Sequence, residues 1–451
     1  MKIGRFAELF LIWLLLIGGN YILYTLALPV RIAHQAVVTL VLLLWLWKRG
    51  LPQTPLLVPV LAVAGTAGIS AVFAIDPRMA LENAWGWLIH ALLLLWMIDQ
   101  VRQGRGEKLM STAVFAGGVI ALIGALDGLL LGTSRSGSLF GLVNLAGGFA
   151  AALFVPALVR DRTVAVMLIA FVISNQSRGA LLAVAVSLVV YVLLERLISR
   201  RVLLLGGLHG ALVLAAVLLI SNQDARRAGD AYRADLWRSA LAMTEDDPIT
   251  GVGPGLFGAA YRGYRERPED YATGAHNLYL NTFAEMGVLG ALASAVVAIT
   301  FFAYLPARRT RPQNAALAAL IGMGTHMLFD HFSATSYTAL AALYAAVCIA
   351  EVEQPLKLPL RRMARGLALA LACFAGWLAV LNVAQVNYEI SLETGNVASA
   401  QTAHEIDPAL KLYALQVERL TGGDLAQLDS TLSESTDTSV YALVSFGRYW
   451  R

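Results

Sequence analysis

The chain has 451 residues, of which 58% are hydrophobic and 14% charged, and its mean hydropathy is +0.65. A soluble globular domain carries nearer ~25% charged residues, so this composition excludes that class. The formal charge of +4 must be read through membrane topology before any nucleic-acid partner is inferred from it.

A helix needs ~20 mostly apolar residues to cross a bilayer. On that rule the sequence predicts an all-α polytopic membrane protein of about 13 spans (12–13). They cover roughly 6–28, 33–47, 55–74, 80–99, 109–131, 139–158, 163–176, 180–198, 202–220, 277–304, 315–331, 336–352 and 366–385. With the N-terminus in the cytoplasm, the alternate loops collect about nineteen Lys and Arg residues. The opposite short loops hold only Arg31, Arg78, Arg135 and Arg178. Basic residues concentrate on the cytoplasmic side of membrane proteins, so the isoelectric point near 9.0 reflects topology, and no nucleic-acid partner is expected. Cys348 and Cys373 fall inside expected spans, where a thiol behaves as a small buried apolar group.

The predicted layout has three parts: a transmembrane bundle over 1–385, an extracytoplasmic loop 221–275 within it, and an extracytoplasmic helical tail 386–451. The loop carries seven arginines and four tyrosines among numerous acids. Its segment 230–244 reads as an amphipathic helix, with Ala231, Leu236, Ala240 and Met243 on one side. Asp246, Asp247 and Pro248 stop that helix, and the glycines from 251 to 255 make a turn. In the tail, Ala400, Ala403, Pro408 and Tyr413 have the spacing of a helical hairpin of the tetratricopeptide kind.

Four groups of residues could carry chemistry. His276 sits at the mouth of the tenth span and could accept a proton from a hydroxyl nucleophile, because an imidazole titrates near ~6.5. Alternatively it caps that helix. On a helical wheel Leu280, Phe283, Gly287 and Gly290 share its face, and the two glycines would admit a close-packed helix or lipid chain. Glu285 faces away and reads as structural. Arg178, at the outer end of the short seventh span, suits bidentate phosphate recognition, or else snorkels to lipid headgroups. The loop arginines, Arg233 and Arg265 foremost and then Arg238 and Arg262, either bind a polyphosphate or balance the loop acids. Asp330, at the outer end of the eleventh span between His326 and His331, could orient an imidazole, bind a sugar hydroxyl, or simply face water. No zinc-protease, P-loop or dinucleotide pattern is present, which argues against an ATP-driven pump. No metal or cofactor is expected.

Three segments together resemble the O-antigen ligase and polymerase superfamily of bacterial membrane glycosyltransferases. The first is His276-Asn277, nine residues, then Gly287-Val288-Leu289-Gly290. The second is the loop run from Arg233 through Trp237 to Ala240, followed by Pro248 to Gly255. The third is Ser177-Arg178-Gly179. The resemblance implies a helical membrane bundle with a large outer loop over a lipid-facing cavity. It also implies metal-independent, inverting transfer of a glycan from undecaprenyl diphosphate to an acceptor hydroxyl, at the outer face of the bacterial cytoplasmic membrane. His276 would be the base, and Arg178, Arg233 and Arg265 would hold the diphosphate. Asn277, Asp330, Arg238 and Arg262 would bind substrate or support the site. The acceptor stays open: lipid A-core in a ligase, another repeat unit in a polymerase, or a protein hydroxyl in an O-oligosaccharyltransferase. A flippase for the same lipid-linked glycan is the alternative of another class.

Overall fold

The computed structural model describes residues 3–18, 28–133, 135–196, 223–267, 272–332, 334–355 and 357–423. These residues are all-helical, with no strand among them. In chain order the helices are α1 (Ile3–Leu16), α2 (Leu28–Arg49), α3 (Leu57–Val72), α4 (Pro77–Gln100), α5 (Gly106–Leu131), α6 (Val143–Arg160), α7 (Arg162–Asn175) and α8 (Arg178–Leu194). They continue as α9 (Gln223–Asp246), α10 (Phe257–Tyr264), α11 (Leu278–Ala303), α12 (Arg311–His326), α13 (Thr335–Ile349), α14 (Leu360–Thr394), α15 (Val397–Ile406) and α16 (Lys411–Thr421). The expected span 202–220 lies outside the described residues; each of the others overlaps a helix.

Among the described residues, five stretches are long and apolar enough to cross a membrane: Leu28–Arg49, Pro77–Leu131, Val143–Arg160, Leu278–Ala303 and Leu360–Thr394. The apolar helices α3, α7, α8 and α13 are shorter. At 1.5 Å per residue such helices reach only ~21–26 Å, less than the ~30 Å hydrocarbon layer. Large apolar side chains stay exposed on many of these surfaces, among them Trp47, Phe115, Leu129, Leu130 and Ile299. In water such a surface would aggregate; against lipid it is at no disadvantage. These are the features of a multi-pass membrane protein. Cys348 is buried as expected, but Cys373 is exposed on α14, because that position falls on the outward side of the helix.

Side-chain caps start several helices where the sequence supplies a short oxygen. Asp76 accepts from Met79 N at 3.1 Å, and Asp161 accepts from Thr163 N at 2.9 Å. At the centre of the bundle α6, α8 and α12 pack against one another. At the end opposite His276, Arg102 donates to the carbonyls of Gln53, Ala350 and Val352. That arrangement satisfies backbone acceptors that would otherwise be left without partners at a helix end.

A second apolar cluster caps the other end of the bundle. It joins Leu236, Ala240 and Met243 of α9 to Phe257 and Tyr261 of α10, Ala284 and Met286 of α11, and Ala403 and Tyr413 of the tail. Leu236, Ala240 and Met243 are fully buried as their spacing predicts, whereas Ala231 is exposed. The buried stripe of α9 therefore begins a turn later than the sequence suggested. In the described part of the tail α15 and α16 pack together, with Ala400, Ala403 and Tyr413 buried. Asp407, between the two helices, pairs with Arg78 at the start of α4 and ties the hairpin to the bundle.

Helix α11 is broken in its first half, at Gly287 (φ 59, ψ −161). That conformation is essentially open to glycine alone. The break leaves carbonyls and amides without helical partners, and the 248–253 segment supplies them. Val252 N donates to Ala284 O and Gly253 N to Glu285 O, both at 3.0 Å. Val288 N donates to Pro248 O at 2.9 Å. Glu285 accepts from Phe257 N at 3.3 Å, at the start of α10. The expectation that Gly287 and Gly290 admit a helix or lipid is therefore corrected. A Cβ at Gly287 would overlap the Ile249 backbone, and one at Gly290 would overlap Met286 of its own helix. We expect Gly287→Ala to undock the 248–257 segment, read as faster proteolytic cleavage there and a lower unfolding temperature.

Candidate active site

The sequence His276-Asn277 begins α11, and the two residues divide the work. Asn277 is the N-cap: its side-chain oxygen accepts from Tyr279 N at 3.0 Å and Leu280 N at 3.1 Å. An amide side chain is suited to this because its carbonyl replaces the missing helical acceptor. His276 precedes it in the left-handed region (φ 48), a conformation that costs a non-glycine residue ~1–2 kcal/mol. That backbone turn lets the imidazole leave the helix axis. Its side chain remains 37% exposed, which keeps it accessible to a substrate.

Helix α12 ends at His326, earlier than the expected 331, and Asp330 lies in the connection to α13. Two bonds fix that connection to the start of α11: Leu278 N donates to Met327 O at 2.9 Å and to Asp330 O at 3.1 Å. The Asp330 carboxylate, 6% exposed, then lies 3.1 Å from His276 Nδ1. It also accepts from His331 N at 3.0 Å. Burial works to raise this carboxyl group, but the hydrogen bond and charge of His276 outweigh burial and hold it below its ordinary value. An ionised carboxylate against Nδ1 favours the tautomer with its proton there. Nε2 is then left as the acceptor. This is the arrangement of an oriented general base.

The sequence set Asp330 between His326 and His331, and of the two it is His331 whose ring faces His276. The His331 ring stands perpendicular to that of His276, with centroids 6.0 Å apart. Burial, followed by the charge of His276, pushes the His331 imidazole down to about 4 and keeps it neutral. His276, Asp330 and His331 each offer one potential metal-ligand atom, and these atoms lie within 4.8 Å of one another.

His326 points the other way, into a slot between α6 and α8. A Cβ at Gly148 or at Gly179 would overlap its ring, so two glycines make room for one imidazole. Gly179 follows Arg178 directly, so His326 couples the start of α8 to the turn that leads into Asp330. Arg178 itself is exposed at the first position of α8, after the N-cap Ser177. The junction before it is held by Asn175, whose side chain donates to Ser136 O at 2.9 Å and Val143 O at 3.0 Å. Arg135 donates to Asn175 O at 3.0 Å, which brings a second arginine to this junction. Sequence reasoning missed it because 135 and 178 are far apart in the chain. We expect Gly179→Ala to shift either Arg178 or the Asp330 turn by a fraction of an ångström. Small misplacements of reacting groups are costly, so activity should fall about tenfold while the unfolding temperature changes little.

The loop arginines divide by environment. Arg238 pairs with Asp235 and, at 2.8 Å, with Glu266, and so serves the internal structure of the loop. Arg233 is half-buried on α9, and its Nε is buried without a hydrogen-bond partner among the described residues. A buried donor left unsatisfied is costly, which makes Arg233 the stronger candidate for an anionic ligand. Arg262 lies on α10 and Arg265 caps its end, both half-buried. Tyr264 ties α10 to α9 by donating to Asp246 at 2.6 Å.

Residues 163–295 match the family model described as O-antigen ligase. This stretch, under a third of the chain, is therefore similar to the O-antigen ligase superfamily. No curated protein matches the chain. The matched residues hold Arg178, Arg233, Arg265 and His276, while Asp330 and His331 lie beyond them. Enzymes of the O-antigen ligase family are membrane glycosyltransferases, and the family implies a lipid-linked glycan and a glycan acceptor as partners.

Proposed function

We propose that the protein transfers a glycan en bloc from undecaprenyl diphosphate to an acceptor hydroxyl, at the outer face of the cytoplasmic membrane. The observation that carries this reading is the His276–Asp330 pair at the mouth of α11, with the Asp330 carboxylate buried and the imidazole accessible. In the proposed step the acceptor oxygen attacks the anomeric carbon and its proton passes to His276. The bond from that carbon to the diphosphate oxygen breaks, and its electron pair leaves with the diphosphate. Attack from the face opposite the leaving group inverts the configuration. The negative charge that develops on the diphosphate is what needs stabilising, and Arg178, Arg233 and Arg265 are assigned that role. Asn277 holds the helix start, and Arg238 and Arg262 support the loop. No metal or cofactor takes part in this scheme.

The three-part organisation expected from the sequence is retained in the proposal: a bundle to about residue 385, the loop 221–275 lying over the site, and an outer tail. Lipid A-core is the proposed acceptor. The docked α15–α16 hairpin favours a second reading within the superfamily, in which the acceptor is another repeat unit or a protein hydroxyl bound near the tail. Reconstitution with an undecaprenyl-diphosphate glycan and each acceptor in turn, with EDTA present, tests both readings. Release of undecaprenyl diphosphate should depend on one acceptor. Translocation of the lipid-linked glycan without any transfer would instead identify a flippase.

A further inference from the structure

We propose that His276, Asp330 and His331 form a binding site for a zinc-like transition-metal dication, and that its occupancy inhibits the protein. Three observations support the site. The ligand atoms of the three residues already converge within 4.8 Å. Two imidazoles and a carboxylate make a donor set well suited to Zn²⁺, with room for water or substrate as a fourth ligand. Finally, His331 Nδ1 is buried and makes no hydrogen bond among the described residues. A buried imidazole nitrogen without a partner is a costly arrangement in a native structure, and a metal ion would satisfy it.

The surroundings hold the ligands in place. The Cε1–Nε2 edge of His331 lies against Gly274, where a Cβ would overlap it. Its peptide N–H is fixed on Asp330. His276 leaves the cluster partly open, which gives an ion a route in. Zinc–nitrogen and zinc–oxygen distances of ~2.0–2.2 Å place tetrahedral ligands ~3.4 Å apart, so the cluster closes on an ion by side-chain rotation of about an ångström.

Either nitrogen of His276 that binds the ion takes the ring out of service. An ion on Nδ1 displaces the proton held against Asp330, and an ion on Nε2 occupies the lone pair that would accept the hydroxyl proton. The inhibition, but not the binding, rests on the transfer reading given above.

The test uses the purified full-length protein in lipid nanodiscs, titrated with Zn²⁺ by calorimetry. One ion should bind per chain. His331→Gln and His331→Ala, both of which keep the peptide N–H that donates to Asp330, should each weaken binding ~tenfold or more, with unfolding temperatures confirming that both fold. In parallel, Zn²⁺ should suppress transfer by the wild type and EDTA should restore it. The His331 variants should resist Zn²⁺, each keeping in its presence the rate it shows in EDTA. Absence of binding, or binding unchanged in both His331 variants, overturns the site. Binding without inhibition, or a rate raised by Zn²⁺, overturns the inhibitory role. A protein inactive with every acceptor in EDTA counts against the transfer reading, and the calorimetry still decides the site.

Discussion

Replacing His276 by alanine should lower the rate of glycan transfer by ~10²–10⁴, the usual contribution of a positioned general base. Affinity for the lipid-linked donor should be retained. The donor is assigned to the arginines, and none of those replaces a proton acceptor. The imidazole is partly exposed, so free imidazole in the buffer should restore part of the lost rate. A purely capping histidine would not behave this way, because the cap of α11 is made by Asn277. A rate loss matched by unfolding, with no imidazole rescue, would return His276 to a structural role.

Asp330→Asn should cost nearly as much, about 10²–10³ in rate, with little change in donor affinity. An amide can donate to His276 Nδ1, which would move the ring proton to Nε2 and remove the acceptor from the reacting side. A merely structural carboxylate would instead lower stability and leave the rate per folded molecule alone. Stability gives a second readout. The folded Asp330 carboxyl titrates below its ordinary value, against ~3.9 in the unfolded chain. Its contribution is therefore complete above that range and is lost as the pH falls through the depressed value. The difference in unfolding temperature between wild type and Asp330→Asn should persist at neutral pH and shrink below about pH 4. A gap that does not change with pH would contradict the pairing.

Much of this was legible in the sequence for physical reasons that can be named. The apolar runs and the distribution of basic residues foresaw an all-helical membrane protein, because both respond to the bilayer directly. The polar stop at Asp246–Pro248 and the buried stripe of α9 were readable because each depends on neighbours in the chain. The short chemical motifs drew attention to two helix ends that the fold brings together. His276 and Asp330 are 54 residues apart, and both were expected at the same end of the bundle.

What failed was whatever depends on contacts distant in sequence. The helical wheel carried the His276 face through Gly287, yet the chain leaves the helix there, and the 248–253 loop supplies the missing bonds. The glycine pair and the glycine-rich loop look like separate motifs in the sequence, but in the structure the loop docks at the break. Likewise the sequence left His326 and His331 as equal neighbours of Asp330. The helix stops at His326, so the connection turns and brings His331 to the pair. Arg135 was hidden for the same reason, since only folding brings it to Asn175.

The central claim is that His276 removes the acceptor proton in a metal-free transfer. The most direct measurement is single-turnover transfer in nanodiscs, with EDTA present and the lipid-linked glycan prebound, comparing wild type with His276→Ala. The account predicts rapid transfer with inverted anomeric configuration in the wild type, and donor that stays bound and untransferred in the variant. Undiminished transfer by His276→Ala, or transfer by the wild type only when a metal is restored, would contradict it.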